Sequence, residues 1–488
     1  MTSRRRFLQG TAVGGAAAAL VPLSGCAPSA PRDTTGVFTH GVASGDPHAT
    51  SVVLWTRVQP QSGVESIEVR WIVGTDESLH DPVASGVAVT GPWRDWTVKV
   101  VAEGLPPGAT LHYGFELDGV RSEVGRTRTA PDGPVERLRF GVASCSNYGY
   151  GNFHAYRHLL RRSDLDAVIH LGDYIYEYAS AGFGETYGEA RTLVPPHEIV
   201  TLADYRARYG HYRADPDLQE LHRRHPIIHV WDDHEFADDP FIGGASNHQP
   251  GDGDWSARVA AALRAYDEWM PTRLDGNRIY RTLEYGPLAR IIGVDRQRRF
   301  LWPEPDDGDR YLGREQSEWL DERLGEADQS WTILAQQTTF GATSPDLVSG
   351  GWNPADRNRV LDTISARPSD LVVLTGDIHR FHAVDVVRDP AVYDPATGSG
   401  SAAVEFACGS ISSPGSSSIN PGPAVRWNQG FTCGYAVLDV TDERVQCDYW
   451  GFFDLAKLLG HLPNEEWLAG FTASAGRPHL SPAAHPVA

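Results

Sequence analysis

The sequence predicts an α+β multidomain chain, with an N-terminal β-sandwich followed by a larger layered domain of strands and helices. Three observations carry this reading. At 488 residues the chain exceeds what one ordinary core holds, so two domains are expected. From about Gly36 to Ala130 it runs in short alternating apolar segments separated by turn residues, the pattern of stacked antiparallel sheets. Beyond Asp132-Gly-Pro134, strands begin to alternate with stretches of helical period.

Residues 1–35 read as an address and a tether. Ser3-Arg4-Arg5-Arg6-Phe7-Leu8 resembles a twin-arginine export signal. The weakly apolar stretch from Gly10 to Leu23 is shorter than the roughly 20 residues a spanning helix needs. Leu23-Ser24-Gly25-Cys26 resembles a bacterial lipobox, which predicts lipidation of Cys26 and attachment to the outer side of the membrane; simple cleavage near Ala27 or Ala30 is the alternative. The twin-arginine route carries folded proteins, which suits a chain that takes up metal before export. Ala27 to Thr35, rich in Pro, Ser and Thr, reads as a flexible linker.

Residues 36–131 form the expected sandwich, with strands at Ser51–Arg57, Ile67–Val73, Trp96–Val101 and Leu111–Leu117. Leu105-Pro-Pro-Gly108 ahead of Leu111-His-Tyr113 resembles the corner of a fibronectin type III domain. No cluster of ligand residues lies here, so a positioning module is expected. Residues 135–472 make the second domain. Val259, Ala262, Leu263, Tyr266 and Met270 fall at helical spacing, as do Trp319, Leu320 and Leu324. Tyr178 to about Leu202 is a long connection without period, expected at the rim of a site. Gly434–Val440 and Arg444–Tyr449 flank Thr441-Asp-Glu443 as a hairpin, and the composition of residues 473–488 predicts a disordered tail.

The chemistry collects at strand ends. Arg139-Phe-Gly-Val-Ala-Ser-Cys145, Ala167-Val-Ile-His-Leu-Gly-Asp173, Ile227-Ile-His-Val-Trp-Asp-Asp-His234 and Leu371-Val-Val-Leu-Thr-Gly-Asp-Ile-His379 each finish on residues that bind metals. In layered α/β folds, ligands gather past the carboxyl ends of strands. Asp173 and Tyr176, three apart, offer a carboxylate able to bridge two cations and a phenolate suited to a hard trivalent ion; a helix cap and a core tyrosine are the plainer alternative. Cys145 is a buried structural thiol or, beside such a site, a thiolate ligand. Trp231-Asp232-Asp233-His234-Glu235 holds three carboxylates and an imidazole, too many for one ion. Asp377 and His379, two apart, point to one side if the strand continues through them, and His382 follows. Cys408, Cys433 and Cys447 are left for pairing, an odd number if Cys145 is a ligand. The formal charge of −20 argues against nucleic-acid binding, and an anionic substrate would have to be drawn in by local metal charge.

Five segments carry a family resemblance: Val37-Phe-Thr-His-Gly-Val-Ala-Ser-Gly-Asp-Pro47, Phe140-Gly-Val-Ala-Ser-Cys-Ser146, His170-Leu-Gly-Asp-Tyr-Ile-Tyr-Glu177, Val230-Trp-Asp-Asp-His-Glu235 and Leu374-Thr-Gly-Asp-Ile-His379. From about Val37 to Gly451 the chain resembles the alkaline phosphatase D (PhoD) family, relatives of the calcineurin-like metallophosphoesterases that are also similar to purple acid phosphatases around their iron. The resemblance implies a fibronectin-like domain and then an αββα sandwich with metals at one edge. It implies Cys145, Asp173, Tyr176 and His379 as Fe³⁺ ligands, Asp173 bridging to Ca²⁺, Asp233 and Asp377 completing the Ca²⁺ shell, and His234 as the acid beside the substrate oxygen. Thiolate and phenolate suit iron, and carboxylates suit Ca²⁺.

The chain departs from the wider superfamily in two places. Asp233 stands where an Asn is usual, and Gln336-Gln337 stands where a His is expected; both changes favour Ca²⁺ as the second ion. Asp295-Arg-Gln-Arg-Arg299 is the segment expected to supply an arginine to phosphate, without spacing to say which. The implied activity is hydrolysis of phosphodiesters, with some phosphomonoesterase activity, by in-line attack of metal hydroxide, His234 protonating the leaving alkoxide. A phospholipase D-like esterase and a non-catalytic surface lipoprotein binding phosphate or metal are the alternatives.

Overall fold

In the computed structural model, residues 36–59, 62–180, 182–183, 191–304, 310–341, 351–415, 422–453 and 464–487 are described. The export signal, Cys26 and the tether lie outside these, as do 181 and 184–190 of the expected rim connection.

Two mixed sheets make the body of the molecule. In the ten-stranded sheet, Leu138–Ala143, Ala167–His170 and Ile227–His229 lie side by side and parallel. In the seven-stranded sheet, Ala289–Gly293, Trp331–Gln336 and Asp370–Thr375 do the same. Apart from the half-buried Asp370 that opens the last of them, all six are buried along their length, which is why they read as largely apolar runs rather than alternating ones. Phe140, Ile169 and Ile228 of the first sheet share one core with Ile291, Ile333 and Val372 of the second.

Helices cover the outer faces. Leu202–Arg213 starts from a reciprocal Thr201/Asp204 cap, and Trp255–Trp269 from Asp254, whose carboxylate accepts the Ser256 N–H. The second helix buries Val259, Ala262, Tyr266 and Trp269 toward the ten-stranded sheet, the spacing legible in sequence; Met270 is already its cap. On the far side, Arg314–Gly325 and Pro354–Ser365 pack Leu320, Leu324, Val360 and Leu361 on the seven-stranded sheet.

The N-terminal strands are fused to this body. Val42–Gly45, Ser51–Arg57 and Thr97–Glu103 extend the ten-stranded sheet, and a separate sheet of Pro82–Thr90, Ile67–Gly74, Thr110–Leu117 and Val120–Arg121, with Gly125–Arg128 beside it, closes a core over them. The joint is Gly45 opposite Ile227. A Cβ at Gly45 would sit 2.1 Å from the Pro271 carbonyl oxygen and 2.6 Å from that of Ile227, so only glycine fits. Next to it the fully buried Asp46 accepts the Arg273 N–H at 2.7 Å and pairs with Arg281. Gly45→Ala must therefore push backbone apart, and it is expected to lower stability by about 1–3 kcal/mol or more, read as a lower unfolding midpoint. An unchanged midpoint would mean the joint has room that these distances deny.

The chain end differs from the expected disordered tail. Glu466–Ser474 and Arg477–Pro482 form a hairpin on the edge of the ten-stranded sheet. Leu480 is fully buried, its N–H donating to Asp385 at 2.8 Å, and the His479 imidazole meets the same carboxylate at 2.6 Å. The Pro/Ala/Ser composition hides a strand whose few anchoring side chains bond a buried acid. No disulfide joins Cys145, Cys408, Cys433 or Cys447, all of which are buried.

Candidate metal centre

The three parallel strands of the first sheet deliver Cys145, Asp173 and the Asp232–Glu235 segment to one edge, and the second sheet delivers Asp377 and His379 to the same edge. Glycines let the loops touch. A Cβ at Gly172 would lie 2.6 Å from Asp232 Cβ, and one at Gly376 would lie 2.9 Å from the Leu171 carbonyl oxygen. Cys145, Asp173, Asp377 and His379 all take left-handed φ, between 49° and 64°, which non-glycine residues hold only where surroundings over-determine them.

The donor atoms converge in three groups, each within 4.8 Å: Cys145, Asp173 and His379; Asp173, Asp233 and His234; Asp232, Asp233 and Asp377. Asp173 belongs to the first two and Asp233 to the last two. Tyr176 joins the first, its hydroxyl 3.2 Å from Asp173 Oδ2 and 3.0 Å from His379 Nε2. Asp377 and His379 were expected to point to one side. They part instead, because the left-handed turn at both residues ends the strand alternation.

These groups are built to hold positive charge. Asp173 Oδ1 and Asp233 Oδ1 are buried with no hydrogen-bond partner. Burial pushes the Asp173 carboxyl well above the carboxylate range; His234 opposes this, and Asp233 and Asp232 add to it. Burial, and then the nearby Asp173 charge, push the Cys145 thiol up as well. The Asp232 carboxyl is raised by burial against the pull of Arg296. Such a set of anions fits cations: thiol, phenol and neutral imidazole on one side, carboxylates on the other. His379 is the neutral imidazole required, pushed down to about 4 by burial, with Nδ1 3.0 Å from the Pro414 carbonyl oxygen so that Nε2 faces inward.

His234 sits over the Tyr176 ring, centroids 4.2 Å apart, with Nδ1 2.8 Å from Glu177 Oε2. Burial works against its charged form, yet Glu177, Asp233 and Asp173 outweigh that and hold the imidazole protonated well above its ordinary range. Glu177 is itself fully buried and accepts from the Asp238 N–H and Asn247 Nδ2, which fixes the imidazole in place.

Four residues at this edge had no role assigned from sequence. Glu235 accepts the N–H groups of Asp232 at 2.7 Å, Asp173 at 3.1 Å and Tyr174, tying two strand-end loops together. Glu177 holds His234. Asp232 is held by Arg296 Nε at 2.8 Å, and Arg296 Nη2 lies 3.5 Å from Asp377 Oδ1 and 3.9 Å from Asp233 Oδ1. Arg296 is thus the arginine of the 295–299 segment that reaches the centre, while Arg298 pairs with Glu315. The signal for Glu177 and Glu235 was present as acids flanking the candidate ligands, but nothing in one sequence separates a ligand from its support.

Two expectations are corrected. Gln337 donates to the Trp231 and Val294 carbonyls, each at 2.8 Å, and Gln336 bonds Thr375 and Trp352, so both amides brace strand ends rather than face a cation. His382 lies on the Phe381–Val387 strand facing Glu405, 3.9 Å away, outside all three groups.

Comparison with known proteins places the chain in a family. Residues 140–449 match the family model described as PhoD-like phosphatase, and residues 25–131 match that of the PhoD-like phosphatase N-terminal domain. The chain is 36% identical over 390 residues to alkaline phosphatase D of Bacillus subtilis (strain 168), covering 72% of this chain and 66% of that protein. A solved structure of PhoD superposes with a TM-score of 0.81 at 30% identity, over 94% of each chain. The chain belongs to the PhoD-like phosphatase family.

Proposed function

We propose that the protein is a metal-dependent phosphoric ester hydrolase acting on phosphodiesters, with lesser activity on phosphomonoesters. The observation that carries the reading is the chain of three donor groups, thiol, phenol and imidazole around Asp173 at one end and the carboxylates of Asp232, Asp233 and Asp377 at the other, linked through Asp173 and Asp233, which also carry orphaned buried oxygens. Cys145, Asp173, Tyr176 and His379 would hold Fe³⁺, and Asp173, Asp233 and Asp377 would hold Ca²⁺. Bound there, the cations supply Lewis acidity that activates a water for attack on phosphorus and neutralises phosphoryl charge. His234, protonated and aimed by Glu177, gives its Nε2 proton to the leaving alkoxide. Arg296 keeps Asp232, Asp233 and Asp377 together against their mutual repulsion. We place the protein outside the cytoplasm on the strength of its twin-arginine-like segment, with Cys26 as a lipid attachment site.

The test is turnover of a bis-aryl phosphate, a mono-aryl phosphate and phosphatidylcholine by the purified protein. Preference for the first supports the proposal; turnover of phosphatidylcholine above both would make the protein a phospholipase D-like esterase, and no turnover of any would leave a binding protein. Calcium should separate from iron. Carboxylate-held Ca²⁺ exchanges more readily than an ion under Cys145 and Tyr176, so a calcium chelator is expected to abolish activity and added Ca²⁺ to restore it. Activity that persists after verified calcium removal would rule out this half of the site.

A further inference from the structure

A cavity of about 880 Å³ opens beside the metal centre, with Arg299, Phe300, Arg310, Tyr311, Ile242 and Asn353 among its walls. Between it and the centre lies a smaller space of about 120 Å³, walled by Arg296 and Asp239 on one side and sharing Arg299, Phe300 and Tyr311 with the larger cavity. Arg296 contacts the ligand carboxylates directly, and the Asp239 N–H donates to Asp233 at 2.9 Å. Arg299, Phe300 and Tyr311 thus stand between the cavity and the side on which Arg296 meets the candidate ligands.

Arg299 marks what the cavity takes. Its guanidinium lies 4.4 Å from the Phe300 ring centroid and 5.3 Å from that of Tyr311, and it makes one long bond, 3.5 Å, to the Arg310 carbonyl. Its Nε is buried with no hydrogen-bond partner, and among the described residues no ion pair ties the guanidinium to a carboxylate. Among the described residues the acids nearby are engaged or stand elsewhere: Asp356 accepts from the Tyr311 N–H at 2.6 Å and from Asn353 at 2.8 Å, and pairs with Arg359, while Asp239 lines only the smaller space. Arg310 pairs loosely with Glu318 at 3.4 Å. A planar cation held on aromatic faces, with unused donors, is a receptor for a carboxylate or phosphate. Phe300 and the 67% exposed Ile242 offer apolar surface to the body that carries the charge.

We propose that this cavity receives one substituent of the phosphodiester, and that Arg299 selects substituents bearing a negative charge of their own on a flat or apolar body. The inference rests on the phosphodiesterase reading and narrows its substrate class to diesters with a second anionic group. Nitro and carboxylate groups have the same shape and differ in charge, so two diesters isolate the effect: bis(4-nitrophenyl) phosphate and 4-nitrophenyl 4-carboxyphenyl phosphate, assayed on the metal-loaded protein at fixed ionic strength. The ratio of their kcat/KM values is expected to favour the carboxylate about tenfold, as a charge-assisted bond would. Arg299→Met should bring the ratio to about that of the substrates' intrinsic reactivity, and Arg299→Lys should keep part of the preference. Equal losses on both substrates in Arg299→Met, or turnover by wild type with no preference for the carboxylate, would overturn the subsite while leaving the phosphodiesterase reading intact. Failure to hydrolyse either diester overturns both.

Discussion

His234→Asn is expected to slow hydrolysis of diesters with poor leaving groups by about 10²–10⁴-fold, the usual contribution of a positioned acid, while leaving both cations bound. The imidazole is buried, fixed by Glu177 at 2.8 Å and stacked on Tyr176, and Glu177, which is not among the proposed metal ligands, favours its protonated form. Asparagine keeps polarity and approximate size but has no proton to give. The loss should shrink toward small factors for aryl leaving groups, which depart as stable anions without protonation. Rates measured against a series of leaving groups, together with metal content, check this. Equal losses across the series, or loss of metal, would make His234 a ligand, as its place in the Asp173 and Asp233 group allows.

Asp173→Asn should have the larger effect on metal. Asp173 is shared by two donor groups and is 1% exposed, so removing its charge weakens both cations at once. With several kcal/mol of transition-state stabilisation resting on the cations, a rate loss of roughly 10³-fold or more is expected, accompanied by loss of iron and calcium. Stability should move the other way. In the metal-free protein burial and the neighbouring Asp233, Asp232 and Glu235 disfavour a charge on Asp173 and outweigh the pull of His234, so a neutral amide there relieves an unfavourable charge. Metal-free Asp173→Asn is expected to unfold at a temperature no lower than metal-free wild type. A clear drop would show that Asp173 is chiefly a structural hydrogen-bond acceptor.

Much of this candidate site was legible because its donor residues follow the most regular segments in the chain. Buried parallel strands read as apolar runs, and a run that ends in Gly-Asp or Asp-Asp-His announces an edge. What could not be read was how far the edges approach. The family resemblance already separates Asp377 from His379, but the left-handed turns that part their donor atoms are not signalled by Gly-Asp-Ile-His itself. Gln336 and Gln337 read as donors to a cation because amides are ambiguous until their partners are seen; both partners are backbone or neighbouring side chains of adjacent strand ends.

The fold was misread for a similar reason at the chain end. The strand Arg477–Pro482 holds its place through His479 and Leu480 bonding Asp385, almost a hundred residues earlier, while its own composition resembles a linker. At the N-terminus the β pattern was plain, but the union of Val42–Gly45 with Ile227–His229 was not. Only the closeness of the Pro271 and Ile227 carbonyls explains why Gly45 stands there. Arg296 was one of three arginines in Asp295-Arg-Gln-Arg-Arg299, and spacing alone does not tell an arginine facing the centre from Arg299, which faces the cavity.

The central claim is that two unlike cations share Asp173, one of them iron under Cys145 and Tyr176. Elemental analysis of active wild-type protein beside Cys145→Ser tests it most directly. A thiolate is charged and readily ionised by a metal, and an alcohol at neutral pH is not, so the variant should lose iron and activity while the carboxylate-held ion is retained. Iron and calcium together are expected in active wild type, with a selective fall in iron on substitution. Active wild-type protein without iron, or Cys145→Ser with full iron and full rate, would contradict it.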